Sequence, residues 1–369
     1  MKILLVFIVA SVLLILDTAT ATHCGCKYLR QCYKQMLKNL LQADEDPCIE
    51  NVSIGASTVT IFLKAISEYC ELVVKVYGNS TTHEGRNLYE VVINSTLPSG
   101  ADDRNEKRPV ILLEAGQDGG TESVELALFV IEQLVACGEN KDMIQKVQWV
   151  ILPSTNPDGQ EYARARREPW KKNYSPNGKD VLSFGVDITR NFDDSWGNCA
   201  AVKNAFSQDY PGLKPNSEIE TAFINDVFTR YKSRISTYIS LRRDGHAILY
   251  PFASRNNTIT TIDKVRKRAG DIAAKVNQRA GGIQWFVNQS IFSMNGKEHC
   301  GHSVDLAYNK YDIKYAFEMR VFPETDNRIM SKFQSLPKGH EVSLRTGYFS
   351  GIREVYNLLV NDMSTKQKG

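Results

Sequence analysis

The stretch VILLEAGQDGGTESVELALFVIEQL, residues 110–134, constrains the fold more than any other. Its first half is a short apolar run ending at a glycine, the pattern of a strand buried on both faces. Its second half places Val124, Leu126, Leu128, Val130, Ile131 and Leu134 on more than one side of a helix, so that helix is deeply buried. Thr121 or Ser123 is the expected N-cap. Between the halves lies Gln117-Asp118-Gly119-Gly120, which reads as a tight surface turn. A phosphate loop is excluded, because no Gly-Lys-Ser/Thr follows. A buried strand that delivers a polar tip to a helix start is where open α/β sheets carry their chemistry.

The same alternation continues along the chain. Phe62, Ile66 and Tyr69 share one face of a helix over about 57–71. LVVKVYG, LYEVVI, VILLEAG and VQWVILP read as successive strands, the last closed by a turn at Asn156-Pro157-Asp158-Gly159. Residues 217–231, 260–279 and 342–361 read as helices, and STYISL and IKYAFEMRV as strands. Strands alternating with helices imply an α/β fold with one central sheet flanked by helices. One domain over 56–362, followed by a polar tail at 363–369, is the simplest division.

The first residues, MKILLVFIVASVLLILDTATAT, join a lysine, an apolar run and a small-residue tail. They read as a secretory signal peptide over 1–21 rather than a membrane anchor, because the run is short and its flank favours cleavage. No other segment is long and apolar enough to span a bilayer, so no membrane association is expected after cleavage. A net charge of +3 gives no argument for nucleic acid or an anionic membrane as partner. Cys24, Cys26, Cys32, Cys48, Cys70, Cys137, Cys199 and Cys300 form an even set, which in a secreted chain implies disulfides of undetermined connectivity. Four of them crowd a short segment, 22–55, where His23-Cys24-Gly25-Cys26 also has the ligand types of a metal clip. Asn-x-Ser/Thr sequons begin at Asn51, Asn79, Asn94, Asn173, Asn256 and Asn288. The expectation is a secreted, extracellular glycoprotein.

Several blocks then fall in order: HEGRNLYEV at 83–91, ILPSTNPDGQEY at 151–162, PWKKN and FGVDITRNFDDSWG within 169–197, SEIET at 217–221, ILYPF at 248–252, and SVDLAYNKYDIKYAFEMR at 303–320. Together they resemble the zinc carboxypeptidases of the pancreatic A/B type over most of 57–361. The resemblance implies a single domain with a mixed eight-stranded sheet, helices on both faces and a funnel-shaped active site. It also implies His-x-x-Glu at the strand–turn–helix of the opening stretch, two of three protein ligands that leave zinc one open position for water. Here those slots hold Gln117 and Gly120, and the third, a histidine ending a later strand, holds Arg242. Glutamine is a poor zinc ligand, glycine has no side chain, and a guanidinium cannot coordinate a cation.

The resemblance places other groups as well. The general-base slot, counted without a gap from Ile313, is Arg320. A two-residue slip would put Glu318 there, on the same strand face. The oxyanion slot holds Lys171, a further substrate-contacting arginine slot holds Glu168, and the lid tyrosine maps to Phe292. The pair that grips a substrate's terminal carboxylate reads Thr189-Arg190, so its arginine survives. The specificity position is Val304, an apolar residue as in the A type. A family disulfide is missing at both ends, at Ser183 and Phe206, and the 22–55 segment is too short for the family's globular prodomain.

These residues predict a carboxypeptidase-like protein without zinc and without peptidase activity. Its ligand is expected to be a peptide C-terminus or another anion, held by Arg190, Thr189 and Arg242 beside Val304. Arg242, Arg243 and Arg320 read either as surface charges or pairs with Asp244, Asp118 and Glu318, or, for Arg242 and Arg320, as converging with Arg190 on the funnel to bind an anion. His299-Cys300-Gly301-His302 reads as an exposed loop with Cys300 in a disulfide; with His246 it also offers ligand types for a displaced metal. An active hydrolase would need His246, Glu122 or Glu318 to rebuild the site, and a structural or storage glycoprotein would need no ligand.

Overall fold

The computed structural model describes residues 54–95, 107–166, 170–177, 180–199, 202, 204–256, 262–280, 285–322 and 340–366. The leader, most of the cysteine-rich segment, Asn51 and Glu168 lie outside them, and so do the side chains of Asn79 and Ser183. The strands of the main sheet are β1 Val74–Thr81, β2 Asn87–Ile93, β3 Val110–Ala115, β4 Gln148–Leu152, β5 Ile235–Arg242, β6 Ala247–Tyr250, β7 Val287–Ser290 and β8 Tyr315–Arg320. The helices that matter here are α1 Ala56–Tyr69, α2 Thr121–Ala136, α3 Pro157–Arg166, α4 Ile219–Tyr231, α5 Asp263–Arg279, α6 Ser303–Asn309 and α7 His340–Lys366.

One eight-stranded mixed sheet runs in the order β1-β2-β4-β3-β5-β8-β6-β7. Its centre is parallel, β4 with β3, β3 with β5 and β5 with β8, while β1, β2 and β6 join antiparallel. The continuous apolar lettering of β3 follows from this position. Ile111 and Leu113 enter one core with α1, α2, α5 and α7, and Val110 and Leu112 enter another with Phe223, Val227 and Phe228 of α4. Successive residues of a strand face opposite ways, so a strand covered on both faces is apolar throughout.

Four expectations change. Helix α2 is capped by Gly120, with no side-chain cap, and Thr121 is its first residue. Asn156 to Gly159 is not a closing turn: Pro157 opens α3, where its missing N–H costs nothing. Helix α7 continues to Lys366, so the expected tail begins inside it. Gln117-Asp118-Gly119-Gly120 is not a surface turn either, since Gln117, Gly119 and Gly120 are buried. Gly116 and Gly119 bend the chain there at φ +84 and +66, a region open to glycine.

Two sequons are also excluded in the folded chain. Asn94 is fully buried, and Asn173 is buried and donates to Glu218 and Glu220. Asn256 and Asn288 are exposed. Among the described residues no helix is long and apolar enough to cross a membrane.

Candidate functional site

Three parallel strands end together, β3 toward Gln117, β5 at Arg242 and β8 at Arg320. Arg242 is buried, and its Nε and Nη2 donate inward while its Nη1 meets no hydrogen-bond partner among the described residues. Its Nη2 donates to Gln117 Oε1 at 2.6 Å and its Nε to Ser240 Oγ at 3.0 Å. Gln117 Nε2 in turn donates to Glu114 Oε2 at 2.7 Å. Glu114 also accepts from Thr155, Ser240 and Tyr238. Burial raises the Glu114 pKa, with the Arg242 charge pulling the other way. The first and third ligand slots are therefore joined to each other by a charge-assisted hydrogen bond.

The second slot is filled from outside. A Cβ on Gly120 would lie 2.6 Å from Arg243 Cδ and 2.8 Å from its Cβ. The Arg243 stem thus occupies the space a ligand side chain would need. Its backbone N–H donates to Asp118 at 3.0 Å, its Nη2 to Trp170 O at 2.9 Å, and its Nε lies 3.2 Å from Asp244. These residues do not fit a zinc ion. A fixed cation sits in one slot, a glutamine committed to that cation sits in another, and the third has no room for a donor.

The β5–β8 pairing is unbroken, with Arg320 opposite Arg242 and Glu318 opposite Ser240. Arg320, rather than Glu318, is therefore the residue level with Arg242 where the strands end. Glu318 lies one pleat deeper and is buried. It accepts from Arg320 Nε at 2.6 Å and pairs with His302 Nε2 at 2.8 Å. Burial pushes its carboxyl up, but Arg320, His302 and Arg242 outweigh that and hold it well below the usual range. His302 Nδ1 accepts the Val304 N–H, so Nε2 carries the proton given to Glu318.

His299 packs against His302, ring centroids 4.9 Å apart, and its Nε2 meets the Thr189 carbonyl at 3.0 Å. Burial first, then the nearby Arg190 charge, drives its pKa well below normal. A continuous chain of contacts thus links Thr189-Arg190 to Arg320. His246 stands elsewhere, bonded to Tyr348 and edge-on to Phe286. The displaced metal trio is not assembled, and no group of three metal-binding side chains exists among the described residues. Cys300 is in a disulfide as expected, its partner being Cys199, but it is buried rather than on an exposed loop.

Arg190 lies 3.3 Å from Asp187 through Nε and 3.7 Å from Asp209 through Nη2. Lys171 bridges the same two carboxylates, 3.0 Å from Asp187 and in contact with Asp209. Burial works against the Lys171 ammonium, yet these partners raise its pKa. Thr189 is tied to Asp187 through Oγ1 at 2.6 Å. Phe292 is the second residue of a short helix at Ile291–Asn295, and Val304 is fully buried in the α4-side core. Asp209 and Glu114 were not singled out by the sequence, while Arg243 was named there only for its pairing and His302 only as a candidate metal ligand.

The zinc carboxypeptidase family profile matches residues 59–342. The chain belongs to that family. Among relatives, "Zinc carboxypeptidase A 1" of Drosophila melanogaster is 28% identical over 267 residues, 72% of this chain and 60% of the relative. "Inactive metallocarboxypeptidase ecm14" of Talaromyces stipitatus is 24% identical over 285 residues, 69% of this chain and 48% of that one. This chain therefore spans less than two thirds of either relative. The fold matches bovine thrombin-activatable fibrinolysis inhibitor in complex with tick carboxypeptidase inhibitor, with TM-score 0.73, 18% identity, and coverage of 84% of this chain and 98% of that one.

Proposed function

We propose that this family member is a secreted binding protein that carries no zinc and cleaves no peptide, and that it holds a peptide C-terminus or a similar carboxylate at Arg190. The observation that carries this reading is the Arg242–Gln117 hydrogen bond, which commits two ligand slots to each other. Zinc would have supplied both the nucleophilic water and the Lewis acid, and no metal-binding group of three replaces it among the described residues. Arg190 and Lys171 keep two cations where the family handles a terminal carboxylate and an oxyanion. A relative named inactive, the leader-like first residues and the Cys199–Cys300 disulfide agree with this reading.

The test is the metal content of the purified protein by elemental mass spectrometry, alongside hydrolysis of a peptide with an apolar C-terminus. The expected result is neither stoichiometric zinc nor chelator-sensitive cleavage. About one zinc per chain with such cleavage would overturn the reading. Arg190→Ala is expected to abolish binding of a C-terminal carboxylate, and unchanged binding would remove the carboxylate part of the proposal.

A further inference from the structure

We propose that Asp209 is a built-in carboxylate ligand of the Arg190–Lys171 site, which an incoming carboxylate must displace. The inference rests on the binding reading above and adds what governs its affinity. Three cations from three separate segments meet on this one side chain. Lys171 Nζ contacts Oδ1, Arg190 Nη2 lies 3.7 Å from Oδ2, and Lys297 Nζ lies 3.6 Å from Oδ2. Burial alone would raise the Asp209 pKa, and Lys171, Arg190 and Lys297 together lower it.

The two carboxylates at the site have different parts. Asp187 is fully buried, and its Oδ1 takes both the N–H and the hydroxyl of Thr189. It is a fixed part of the floor. The Asp209 side chain is 29% exposed and stands toward solvent. With Asp187 counted as permanent, Lys171, Arg190 and Lys297 leave two positive charges uncompensated (three minus one), and Asp209 removes one of them. A ligand carboxylate arriving beside Asp209 meets half the charge it would meet without it.

Asp209 is also placed by a built loop. Ser207 N–H donates to Asn204 O at 3.0 Å, Asp209 N–H to Ser207 Oγ at 3.1 Å and Tyr210 N–H to Ser207 O at 3.3 Å. Lys172 Nζ reaches Ala205 O at 2.8 Å, and Asp187 N–H reaches Tyr210 O at 2.8 Å. The loop is thus fastened to the residues beside Lys171 and Arg190, and its carboxylate is held over them. The ligand class is a free carboxylate in the manner of a peptide C-terminus, because two point cations and one guanidinium already grip such a group.

The experiment is calorimetric titration of the full chain with N-acetyl-L-phenylalanine and with its amide, using wild type, Asp209→Asn, Asp209→Ala and each of these with Arg190→Ala. Loss of Asp209 leaves Lys171 and Arg190 paired with Asp187, and circular dichroism checks the fold. Both Asp209 variants are expected to bind the acid about tenfold more tightly than wild type, only with Arg190 present, and the amide no better. Binding by the Asp209 variants alone also supports the inference. Equal affinity of wild type and Asp209→Asn, with binding abolished by Arg190→Ala, overturns the Asp209 inference and leaves the carboxylate reading standing. No binding by any variant, or binding indifferent to Arg190, overturns both.

Discussion

Arg243 decides whether position 120 can carry a side chain. A Cβ there would press on the Cβ, Cγ and Cδ of Arg243 at once, so moving only the guanidinium end does not relieve it. Gly120→Ala is expected to destabilise the fold by about 1–3 kcal/mol, the usual cost of overpacking. In Arg243→Gly, which removes all three atoms, the same change should cost much less, and a double-mutant cycle in urea measures that coupling. Restoring the family's ligand residues at 117, 120 and 242 without changing Arg243 should therefore fail to rebuild a zinc site. A second single-residue effect lies away from the funnel. Burial raises Glu220 to about 7, despite a hydrogen bond from Asn173. Its folded pKa lies above the unfolded value, so its contribution is fully present below about 4.5 and is lost as pH rises through about 7. Glu220→Gln should gain about 2–3 kcal/mol relative to wild type between pH 5 and 8, read from melts at both pH values.

The β5–β8 pair brings Arg242 and Arg320 side by side, and Glu318 with His302 makes that tolerable. Removing the carboxylate leaves buried cations unbalanced, so Glu318→Gln should cost about 3 kcal/mol or more at neutral pH. Because the folded pKa is lowered, the Glu318 contribution is present above about 4.5 and is lost as pH falls through the depressed value. Denaturation of wild type and variant should therefore converge only in strong acid. Elements like these were readable from the sequence. The strands and helices followed from apolar periodicity. Gln117 was misread as surface, since polar letters look exposed until tertiary partners such as Glu114 and Arg242 are known. Asp209 was missed because its role depends on a loop meeting Lys171 and Lys297 from distant segments.

At the scale of the whole molecule, the Cys199–Cys300 disulfide joins segments 101 residues apart. Cys199 lies ahead of the loop that presents Asp209, and Cys300 sits between His299 and Gly301. Gly301 is itself bonded to the strip after Arg190, accepting from Phe192 and donating to Asp194. The crosslink therefore closes a long segment of the unfolded chain and holds two walls of the site in the folded one. Replacing both cysteines by alanine should cost about 2–5 kcal/mol, most of it through the unfolded ensemble. If the clasp also positions the walls, the double variant should bind N-acetyl-L-phenylalanine more weakly under conditions where it remains fully folded. Denaturant unfolding and calorimetry on the same preparation separate the two effects. A stability loss with unchanged affinity would confine the disulfide to the unfolded state, while a loss of both would show that the wall around Arg190 depends on it.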